Sequence, residues 1–494
     1  MRLSAECHTT LVAAMNTAPD RIATYRALPG FMAVALILHL PVLGLSFLSD
    51  DLTVLHRIGE QNDLGTGSFF RPLPDWTHWL TYRIVGPTPW VFRAVNVLLL
   101  GFNAWLVMLL ARRMAERTLH PEGPVWALLA GMLYAIYPFH LEPQVWIVGR
   151  STAMASSFVL LATWTALGTA PVWQRSVQVA LWTFLGALCY EYALLIPGLL
   201  LIAWLVLEPR HPREWLPMLI SASLVVGLNL ALRSWASGAV ANTYGSAFFQ
   251  RDVADYLGGA LKVAGRLFLP PEPVVQAQTL RMALLAVLLI ALGILWWRRS
   301  RKGPVHGHLL GALLLMTAVA SVIAVVGGVS TRTSESDRFL YLPSAFLCLA
   351  IALLLVTLTT GRTRILLTIA LIVLEGIGLW SGQGHWRTAS DTLERIVEQT
   401  PDAASGERVF VMGLPGDHRG AYILRHGYPE ALLFAGKDTT GISRADTLLR
   451  GLRTADQLPA LAFEDRLDTL HIRPADRIVT WDGERFVEVR PPVR

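Results

Sequence analysis

Long apolar segments separated by short polar loops run through the first 381 residues of the chain. A helix of ~20 apolar residues crosses the ~30 Å hydrocarbon core of a bilayer. The pattern therefore predicts a polytopic α-helical membrane protein with eleven membrane-spanning helices in residues 30–381. The first span follows residue 29 and ends before Asp50, and the others lie near 90–111, 124–139, 151–168, 176–190, 193–207, 215–232, 279–297, 308–328, 339–358 and 364–381.

The composition changes after residue 381, where charged residues become frequent and apolar runs shorten. Residues 382–494 are therefore predicted to form a small soluble α/β or α+β domain. RVFVMGLP predicts a strand, GYPEALLFAG a helical or mixed segment, and DRIVTWDGERFVEVR a hairpin that turns at Asp482 and Gly483. Because no phosphate loop, metal cluster or nucleophile elbow occurs in it, a lid or docking module is the simplest interpretation.

Basic residues predict the orientation of the chain. Residues 1–29 carry three arginines, and no small-residue cleavage pattern accompanies the first apolar run, so an uncleaved anchor behind a cytoplasmic N-terminal segment is expected. Eleven spans then put residues 382–494 outside the cytoplasm. The positive-inside rule agrees, since basic residues gather in the predicted inner loops. They are Arg112, Arg113, Arg117, Arg175, Arg210, Arg213, Arg298, Arg299, Arg301, Lys302, Arg362 and Arg364.

Composition and charge exclude other classes. Hydrophobic residues make up 53% of the 494, and the mean hydropathy is +0.46. A formal net charge of +6 could suggest a nucleic-acid partner, but the basic residues lie mostly in short loops between apolar segments, so no nucleic-acid binding is expected. Cys7, Cys189 and Cys348 predict neither a disulfide framework nor a zinc site.

Two adjacent carboxylates, Asp50 and Asp51, open the first predicted outer loop. Neighbouring negative charges raise the proton affinity of at least one carboxylate, which suits a general base that deprotonates an acceptor hydroxyl. Further along this loop, RPLPDWTHWLTYR has Leu73, Trp76 and Leu80 on one helical face. A helix lying in the membrane interface and an ordinary loop with aromatic anchors both fit that pattern.

Three more polar clusters lie at predicted outer edges of the spans, where ionisable groups are rare and often functional. They contain His140, Glu142 and Arg150 in FHLEPQVWIVGR, Glu191 in CYEYALL, and Arg332, Glu335, Asp337, Arg338 and Tyr341 in TRTSESDRFLYLPS. Taken singly, each cluster is also explained by a solvated loop, a local ion pair or an arginine that reaches the interface. His140 and Glu142, together with Asp51, could hold a divalent metal, but so few ligands do not define a site.

Taken in order, these stretches resemble the tetratricopeptide-bearing transmembrane O-mannosyltransferases. The similar segments are RPLPDWTHWLTYRIVGPTPWVFRAVNVLLL, YPFHLEPQVWIVGRSTAMASSFVLLA, SESDRFLYLPSAFLCL and HWRTASDTLERIVEQTP, within roughly residues 45–400. No tetratricopeptide repeats follow, and HLEPQV replaces the family's HTEAV, so neither mannose nor a protein acceptor is carried over. The chain is therefore identified as a member of the wider GT-C superfamily of polytopic glycosyltransferases, in a bacterial branch.

This resemblance implies an inverting transfer of a sugar from a polyprenyl-phosphate-linked donor to an acceptor hydroxyl, outside the cytoplasmic membrane. It implies Asp50 or Asp51 as the base and Arg338 as the ligand of the donor phosphate, with Arg150 as the next candidate and Tyr341 beside it. The residues expected to orient the base or the substrate are His140, Glu142, Glu191 and Glu335. A divalent metal is the one cofactor considered, and the partners are the bilayer, the lipid-linked donor and an acceptor lipid, glycan or protein.

The main alternative from another class is a transporter or flippase of lipid-linked glycans. Transporters commonly show internal repeats and paired broken spans, and the chain shows no such pairing. Acids concentrated at the outer edge also trace no path towards the midplane. A receptor anchored by its spans is a third interpretation, but eleven spans far exceed what anchoring requires.

Overall fold

The computed structural model describes residues 18–65, 70–208, 211–237, 252–300, 305–404, 406–445 and 476–489. The chain forms two compact units. The membrane unit comprises residues 1–43, 64–77 and 91–383, and the C-terminal unit comprises residues 44–63, 78–90 and 384–494. The predicted domain limits of 1–29, 30–381 and 382–494 stay predictions, and residues 1–17 of the predicted cytoplasmic segment lie outside the described residues.

Helices dominate the described residues, as the apolar segments predict. The α-helices are α1 (Ala18–Leu43), α2 (Asp50–Leu55), α3 (Pro72–Val85), α4 (Pro89–Thr118), α5 (Gly123–Ile136), α6 (Leu141–Val145), α7 (Arg150–Ala166), α8 (Val172–Ala187), α9 (Ile196–Ile202), α10 (Pro212–Ser237), α11 (Val253–Arg266), α12 (Val275–Ser300), α13 (Val305–Ala320), α14 (Val322–Gly327), α15 (Tyr341–Leu358), α16 (Gly361–Gln399) and α17 (Tyr428–Phe434). Short 3₁₀ turns occupy Pro138–His140, Ile147–Gly149, Glu191–Leu195 and Asp337–Leu340, and π-helical turns occupy His56–Glu60 and Ala203–Leu207.

Seven of the described helices are long and apolar enough to cross a membrane, and α5 with its bent continuation to Val145 makes an eighth. The other three predicted spans correspond to α7, α8 and the segment Glu191–Leu207, which are shorter helices. Large apolar side chains on α12 and α16, such as Leu284 and Leu366, are exposed and need lipid to cover them. The protein is thus a polytopic helical membrane protein, and the count of eleven spans stays a prediction.

Small residues let the membrane helices approach closely. Gly101 of α4 lies against α1, where a Cβ atom would come within 2.6 Å of the Met32 Cα. Gly131 of α5 lies equally close to Phe31 of α1. Dispersion and close backbone packing hold membrane helices together, because lipid tails are as apolar as leucine.

Helix α16 continues well past the predicted end of the last span. It belongs to the membrane unit up to Gln383 and to the C-terminal unit from Gly384 to Gln399. In this second part Trp386, Leu393 and Ile396 are buried at helical spacing. The polar composition after residue 381 therefore marks a change from a largely apolar part of the helix to an amphipathic part, and the helix continues through it.

A small mixed sheet forms the rest of the C-terminal unit. The strands are β1 (Val409–Met412), β2 (Asp417–His418), β3 (Ala421–Tyr422), β4 (Ile442–Arg444), β5 (Arg477–Trp481) and β6 (Phe486–Glu488). The main sheet has the order β4-β1-β5-β6, parallel except for β5 with β6, and β2 pairs with β3. The predictions of a strand in RVFVMGLP, a helix in GYPEALLFAG and a terminal hairpin are confirmed.

The hairpin turns where the sequence predicts it. The backbone N–H groups of Glu484 and Arg485 donate to the Asp482 carboxylate at 2.9 Å, and Gly483 has a φ of 109°, which favours glycine. The segment RPLPDWTHWLTYR is also helical, as α3.

Candidate active site

Arg338 and Glu142 form an ion pair in the membrane unit. The Arg338 guanidinium donates to one oxygen of the Glu142 carboxylate, and the Arg338 backbone N–H donates to the other at 3.0 Å. The Glu142 side chain is 1% exposed and that of Arg338 is 16% exposed. A buried carboxylate requires such a partner because an isolated buried charge is costly. Two residues from separate polar clusters of the sequence are therefore in direct contact.

Breaks in the helices put both residues in position. The chain bends by 53° between Gly123–Ile136 and Pro138–Val145. Pro138 favours this bend because it has no N–H to donate and holds Tyr137 in an extended conformation, with a ψ of 122°. Arg338 lies in the 3₁₀ turn before α15, where the Tyr192 hydroxyl donates to the Arg338 carbonyl at 2.8 Å. Side chains at such breaks can reach a ligand at the end of a span.

A second buried ion pair neighbours the first in sequence. Arg266 contacts Asp337 at 2.5 Å, with side chains 2% and 6% exposed. The Arg266 guanidinium also stacks over the Phe139 ring at 4.6 Å. Each arginine is neutralised by its own carboxylate, so an incoming phosphate would have to share N–H donors that the carboxylates already use. An arginine can do this because its planar group carries five N–H donors.

His140 and Tyr341 belong to a buried polar layer beside these pairs. The His140 Nε2 lies 2.7 Å from the Ser344 hydroxyl, and the Asn103 amide donates to the Tyr341 hydroxyl at 3.1 Å. The centres of the His140 and Tyr341 rings are 4.5 Å apart. The structure therefore brings these two predicted site residues together, and their polar atoms hold neighbouring helices in register.

Glu191 lies between two arginines at the start of its 3₁₀ turn. It accepts from Arg233 at 2.9 Å and from Arg71 at 3.3 Å. The Arg71 guanidinium also lies 4.3 Å from the centre of the Tyr190 ring. Glu191 thus joins Arg71 and Arg233, which come from different parts of the chain.

Arg150 is buried at the first turn of α7. Its guanidinium donates to the Asn96 side chain at 2.8 Å and to the Phe92 carbonyl at 3.1 Å. These bonds tie α7 to α4, so Arg150 would reach a headgroup only by exchanging them. Glu335 is half-buried in the turn that precedes Asp337–Leu340.

The described residues contain no group of three or more His, Cys, Asp or Glu side chains placed to hold a metal ion. Of the predicted candidates, His140 bonds to Ser344, Glu142 pairs with Arg338, and Asp51 lies in the C-terminal unit. Among the described residues these three side chains therefore do not form a metal-binding group.

Asp50 and Asp51 begin α2 in the C-terminal unit, and their surroundings differ. Asp51 is fully buried, and its carboxylate accepts from the Leu48 backbone N–H at 3.2 Å. The Asp50 side chain is 38% exposed, with the His426 Nε2 at 4.0 Å. Asp50 is the carboxylate that an acceptor can approach.

Residues 46–52, here called the Asp50 loop, are held by the extension of α16. The Ser46 N–H donates to the Ser390 hydroxyl at 2.9 Å, and the Ser46 hydroxyl donates to Glu394 at 2.5 Å. A cavity of about 530 Å³ lies beside the loop within the same unit. Its lining includes Phe47, Leu52, Leu393, Glu394, Phe434 and Lys437. The loop therefore has an open, partly apolar space next to it.

Sequence reasoning missed four partners of the candidate residues: Arg71, Arg233, Arg266 and His426. Each lies far along the chain from the residue that it contacts, so no spacing rule connects them. Arg266 offers one signal, because it is a cation at the end of an apolar segment, directly before LFLPPEP. The two groups of predicted residues belong to different units, with the aspartates in one and the other candidates in the membrane unit.

The fold is that of an integral, polytopic membrane protein, and comparison with solved structures narrows the class of protein. ArnT from Cupriavidus metallidurans in the apo state matches with a TM-score of 0.51, over 94% of this chain and 98% of that chain, at 14% identity. ArnT from the same organism bound to undecaprenyl phosphate matches with a TM-score of 0.50, over 93% and 97%, at 13% identity. The chain thus has the fold of ArnT along nearly its whole length.

Part of the chain is also similar in sequence to protein O-mannosyl-transferases. Tmtc1 of Drosophila melanogaster is 32% identical over 154 residues, which cover 27% of this chain and 17% of the relative. TMTC2 of Mus musculus is 36% identical over 98 residues, which cover 20% and 11%. The chain thus spans less than a fifth of the length of these curated relatives. No family model matches the chain. The resemblance found in the motifs is confirmed as a distant, partial homology.

Proposed function

We propose that the protein is an inverting glycosyltransferase of the GT-C kind. It moves a sugar from a polyprenyl-phosphate donor to an acceptor hydroxyl at the outer face of the bacterial cytoplasmic membrane. The observation that carries this proposal is the fold, shared over 93% of the chain with a protein crystallised with undecaprenyl phosphate. The partial homology to O-mannosyl-transferases supports it independently.

The base in this proposal is Asp50. Its carboxylate is partly exposed at the start of α2, whereas the Asp51 carboxylate is buried against the Leu48 N–H. In the transfer step the acceptor hydroxyl gives its proton to Asp50 while its oxygen bonds to the anomeric carbon. The bond from that carbon to the phosphate oxygen breaks at the same time, and the phosphate leaves with the electron pair. Attack opposite the leaving group inverts the carbon.

Arg338 is the proposed ligand of the donor phosphate. Negative charge grows on the phosphate as it leaves, and an arginine stabilises that charge through two N–H donors. Glu142 holds the guanidinium in place through the ion pair. Arg150 and Tyr341 are secondary candidates for the phosphate, and His140, Glu191 and Glu335 for positioning the sugar.

The proposal also keeps the predicted membrane frame of eleven spans, with the N-terminus in the cytoplasm. Lipid-linked sugars that face outward would then meet the aspartates and Arg338 on one side of the membrane. A polyprenyl chain is apolar, so it would lie among the lipid-exposed faces of the helices.

Donor binding tests the role of Arg338. Full-length protein in nanodiscs is titrated with undecaprenyl phosphate, and the dissociation constant is compared with those of Arg338→Ala and Arg338→Lys. We expect about a tenfold to hundredfold weaker binding for Arg338→Ala, because charge-assisted hydrogen bonds are lost. Arg332→Ala, at an exposed arginine of the same segment, is the matched control. Equal affinity in all four proteins would remove Arg338 from the phosphate site.

Sugar transfer tests the activity itself. Glycolipids, glycans and envelope proteins from cells with and without the gene are compared by mass spectrometry, and one sugar addition should disappear without it. Asp50→Asn should abolish the same addition, since loss of a general base costs about 10²- to 10⁴-fold in rate. Asp63→Asn, at an exposed carboxylate of the same first loop, should leave it intact. Sugar additions that are identical with and without the gene would overturn the proposed function.

A further inference from the structure

Ser49, the residue before Asp50, has a strained backbone. Its φ is 50° and its ψ is −118°, a backbone conformation that residues other than glycine rarely adopt. Ser49 is also buried. Such a conformation persists only where neighbouring groups hold it, and strained residues concentrate at functional sites. Neighbouring groups must therefore hold the Asp50 loop in this conformation.

The segment Ile423–Gly427, which lies in the same unit, contacts the Asp50 loop. The Ser49 backbone N–H donates to the Ile423 carbonyl at 2.9 Å. Gly427 packs so closely on the loop that a Cβ atom there would lie 2.7 Å from the Ser49 carbonyl oxygen and 2.9 Å from the Leu52 Cβ. Both backbone groups of Ser49 are thus in contact with this segment, which fixes the direction in which the chain enters α2.

His426 lies in the same segment and faces Asp50. The distance between its Nε2 and the Asp50 Oδ1 is 4.0 Å, and the two side chains are 67% and 38% exposed. A small side-chain rotation or one bridging water converts this distance into a hydrogen bond. The neighbouring Arg425 guanidinium pairs with Asp417 at 2.8 Å, and His426 is directed at the Asp50 carboxylate.

We propose that Ile423–Gly427 is the positioning element of the Asp50 loop and that His426 is a positioning residue for Asp50. The imidazole N–H donates to the Asp50 carboxylate and thereby fixes its orientation towards the acceptor hydroxyl. This inference rests on the proposed function, in which Asp50 is the base. It gives residues 423–427 a part in the reaction itself, beyond the predicted role as a lid or docking module.

A pair of glycine variants tests the positioning element Ile423–Gly427 without any activity assay. Gly427 and Gly436 both have left-handed backbones, with φ of 81° and 72°, but a Cβ at Gly436 would have nothing within 4 Å. Gly427→Ala and Gly436→Ala therefore share the backbone cost, and only the first pushes on Ser49. Hydrogen exchange of a peptide that covers residues 46–55 should be roughly tenfold faster in Gly427→Ala alone. Equal hydrogen-exchange rates in both variants would show that Ile423–Gly427 does not position the Asp50 loop.

Substitution of His426 tests its positioning role. His426→Leu should lower kcat for sugar transfer by about tenfold to hundredfold while KM for the donor is unchanged, because misplacing a reacting group mainly affects the chemical step. His426→Gln keeps an N–H donor and should restore most of the rate. His211→Leu, at an exposed histidine of the membrane unit, is the control. A leucine variant with wild-type kcat, or a glutamine variant as slow as leucine, would contradict the assignment.

A double-mutant cycle separates failure of this inference from failure of the proposed function. If His426 acts through Asp50, adding His426→Leu to Asp50→Asn should cause less than a twofold further loss, because residues that act as a unit are not additive. A full further loss of tenfold or more would show that His426 acts elsewhere. If Asp50→Asn itself keeps full activity, the proposed base is wrong. The hydrogen-exchange experiment still tests whether Ile423–Gly427 positions the Asp50 loop.

Discussion

At the scale of residues, the two adjacent aspartates have different environments and should have separable roles. The Asp51 carboxylate accepts from the Leu48 N–H inside the Asp50 loop and has no exposed surface. An asparagine side chain keeps an acceptor oxygen at that place, whereas alanine leaves the buried N–H without its partner. Loss of such a bond costs about 1–3 kcal/mol.

We therefore predict that Asp51→Asn retains most of the sugar transfer and that Asp51→Ala lowers the melting temperature by several degrees. The measurements are the transfer rate and thermal unfolding in the same nanodiscs. Asp50→Asn should show the reverse, with normal unfolding and lost transfer. If Asp51→Asn instead abolishes transfer while Asp50→Asn does not, the base is Asp51.

Tyr428 gives a prediction for alkaline pH, because it anchors the start of α17 next to Gly427. Its hydroxyl lies 3.0 Å from the Thr400 hydroxyl. Burial, which outweighs the Thr400 hydrogen bond and the Arg444 charge, raises the pKa of Tyr428 from 10.0 to about 12. The folded state thus binds the proton more tightly than the unfolded state. This contribution to stability is complete below pH 10 and is lost as the pH rises towards 12.

The melting temperature of the wild type should therefore fall more steeply above pH 10 than that of Tyr428→Phe, which has no phenol to ionise. The difference between the two proteins isolates this group, since all other titrating residues are shared. Tyr256→Phe serves as a second reference in the membrane unit. Parallel curves for the wild type and Tyr428→Phe would contradict the prediction.

The sequence predicts single site residues better than their partners. Glu142 and Arg338 stand out because acids and arginines are rare at the edges of apolar segments and because the motifs around them resemble a known family. The buried pair of Arg266 with Asp337 joins residues 71 positions apart, and the approach of His426 to Asp50 joins segments from opposite ends of the chain. Such contacts depend on tertiary packing, which no local pattern encodes.

At the scale of elements, apolar length predicts helices well and their ends poorly. All the predicted spans are helical, but α16 continues to Gln399 because Trp386, Leu393 and Ile396 keep an apolar face after the all-apolar part ends. The break at Pro138 separates most of one predicted span, 124–139, from α6, which carries Glu142. Proline inside an apolar run signals such a break, but the direction of the bend depends on packing.

Helix contacts in the membrane unit predict the effect of a small substitution. Gly101→Ala places a methyl group against the α1 backbone at Met32, so the helices must separate, at about 1–3 kcal/mol. Gly227→Ala in α10 meets nothing within 4 Å and should be neutral or slightly stabilising. Thermal unfolding in nanodiscs checks both. Equal melting temperatures for the two variants would mean that α1 and α4 do not pack closely in the membrane.

For the molecule as a whole, the number of membrane crossings determines on which side of the membrane the chain after α16 lies. Three predicted spans, α7, α8 and Glu191–Leu207, are shorter than the other candidates, and without them eight spans remain. A short helix can still cross where the bilayer thins or where neighbouring helices shield its ends. Because eleven is odd and eight is even, the two counts place the chain after α16 on opposite sides of the membrane.

Labelling of single cysteines decides between these counts. In a background without the three native cysteines, Asp402→Cys follows α16 and Arg213→Cys precedes most of α10, both at exposed positions. With a cytoplasmic N-terminus, eleven crossings predict that an impermeant maleimide labels Asp402→Cys in sealed right-side-out vesicles and labels Arg213→Cys only after permeabilisation. Eight crossings predict the opposite labelling of both residues. Without the three short spans, which all precede Arg213, each later residue lies on the opposite side of the membrane. The reversed pattern would place Asp402 in the cytoplasm and Asp50, which follows the first crossing, outside it, although both belong to the same unit. That result would contradict the membrane frame of the proposed function.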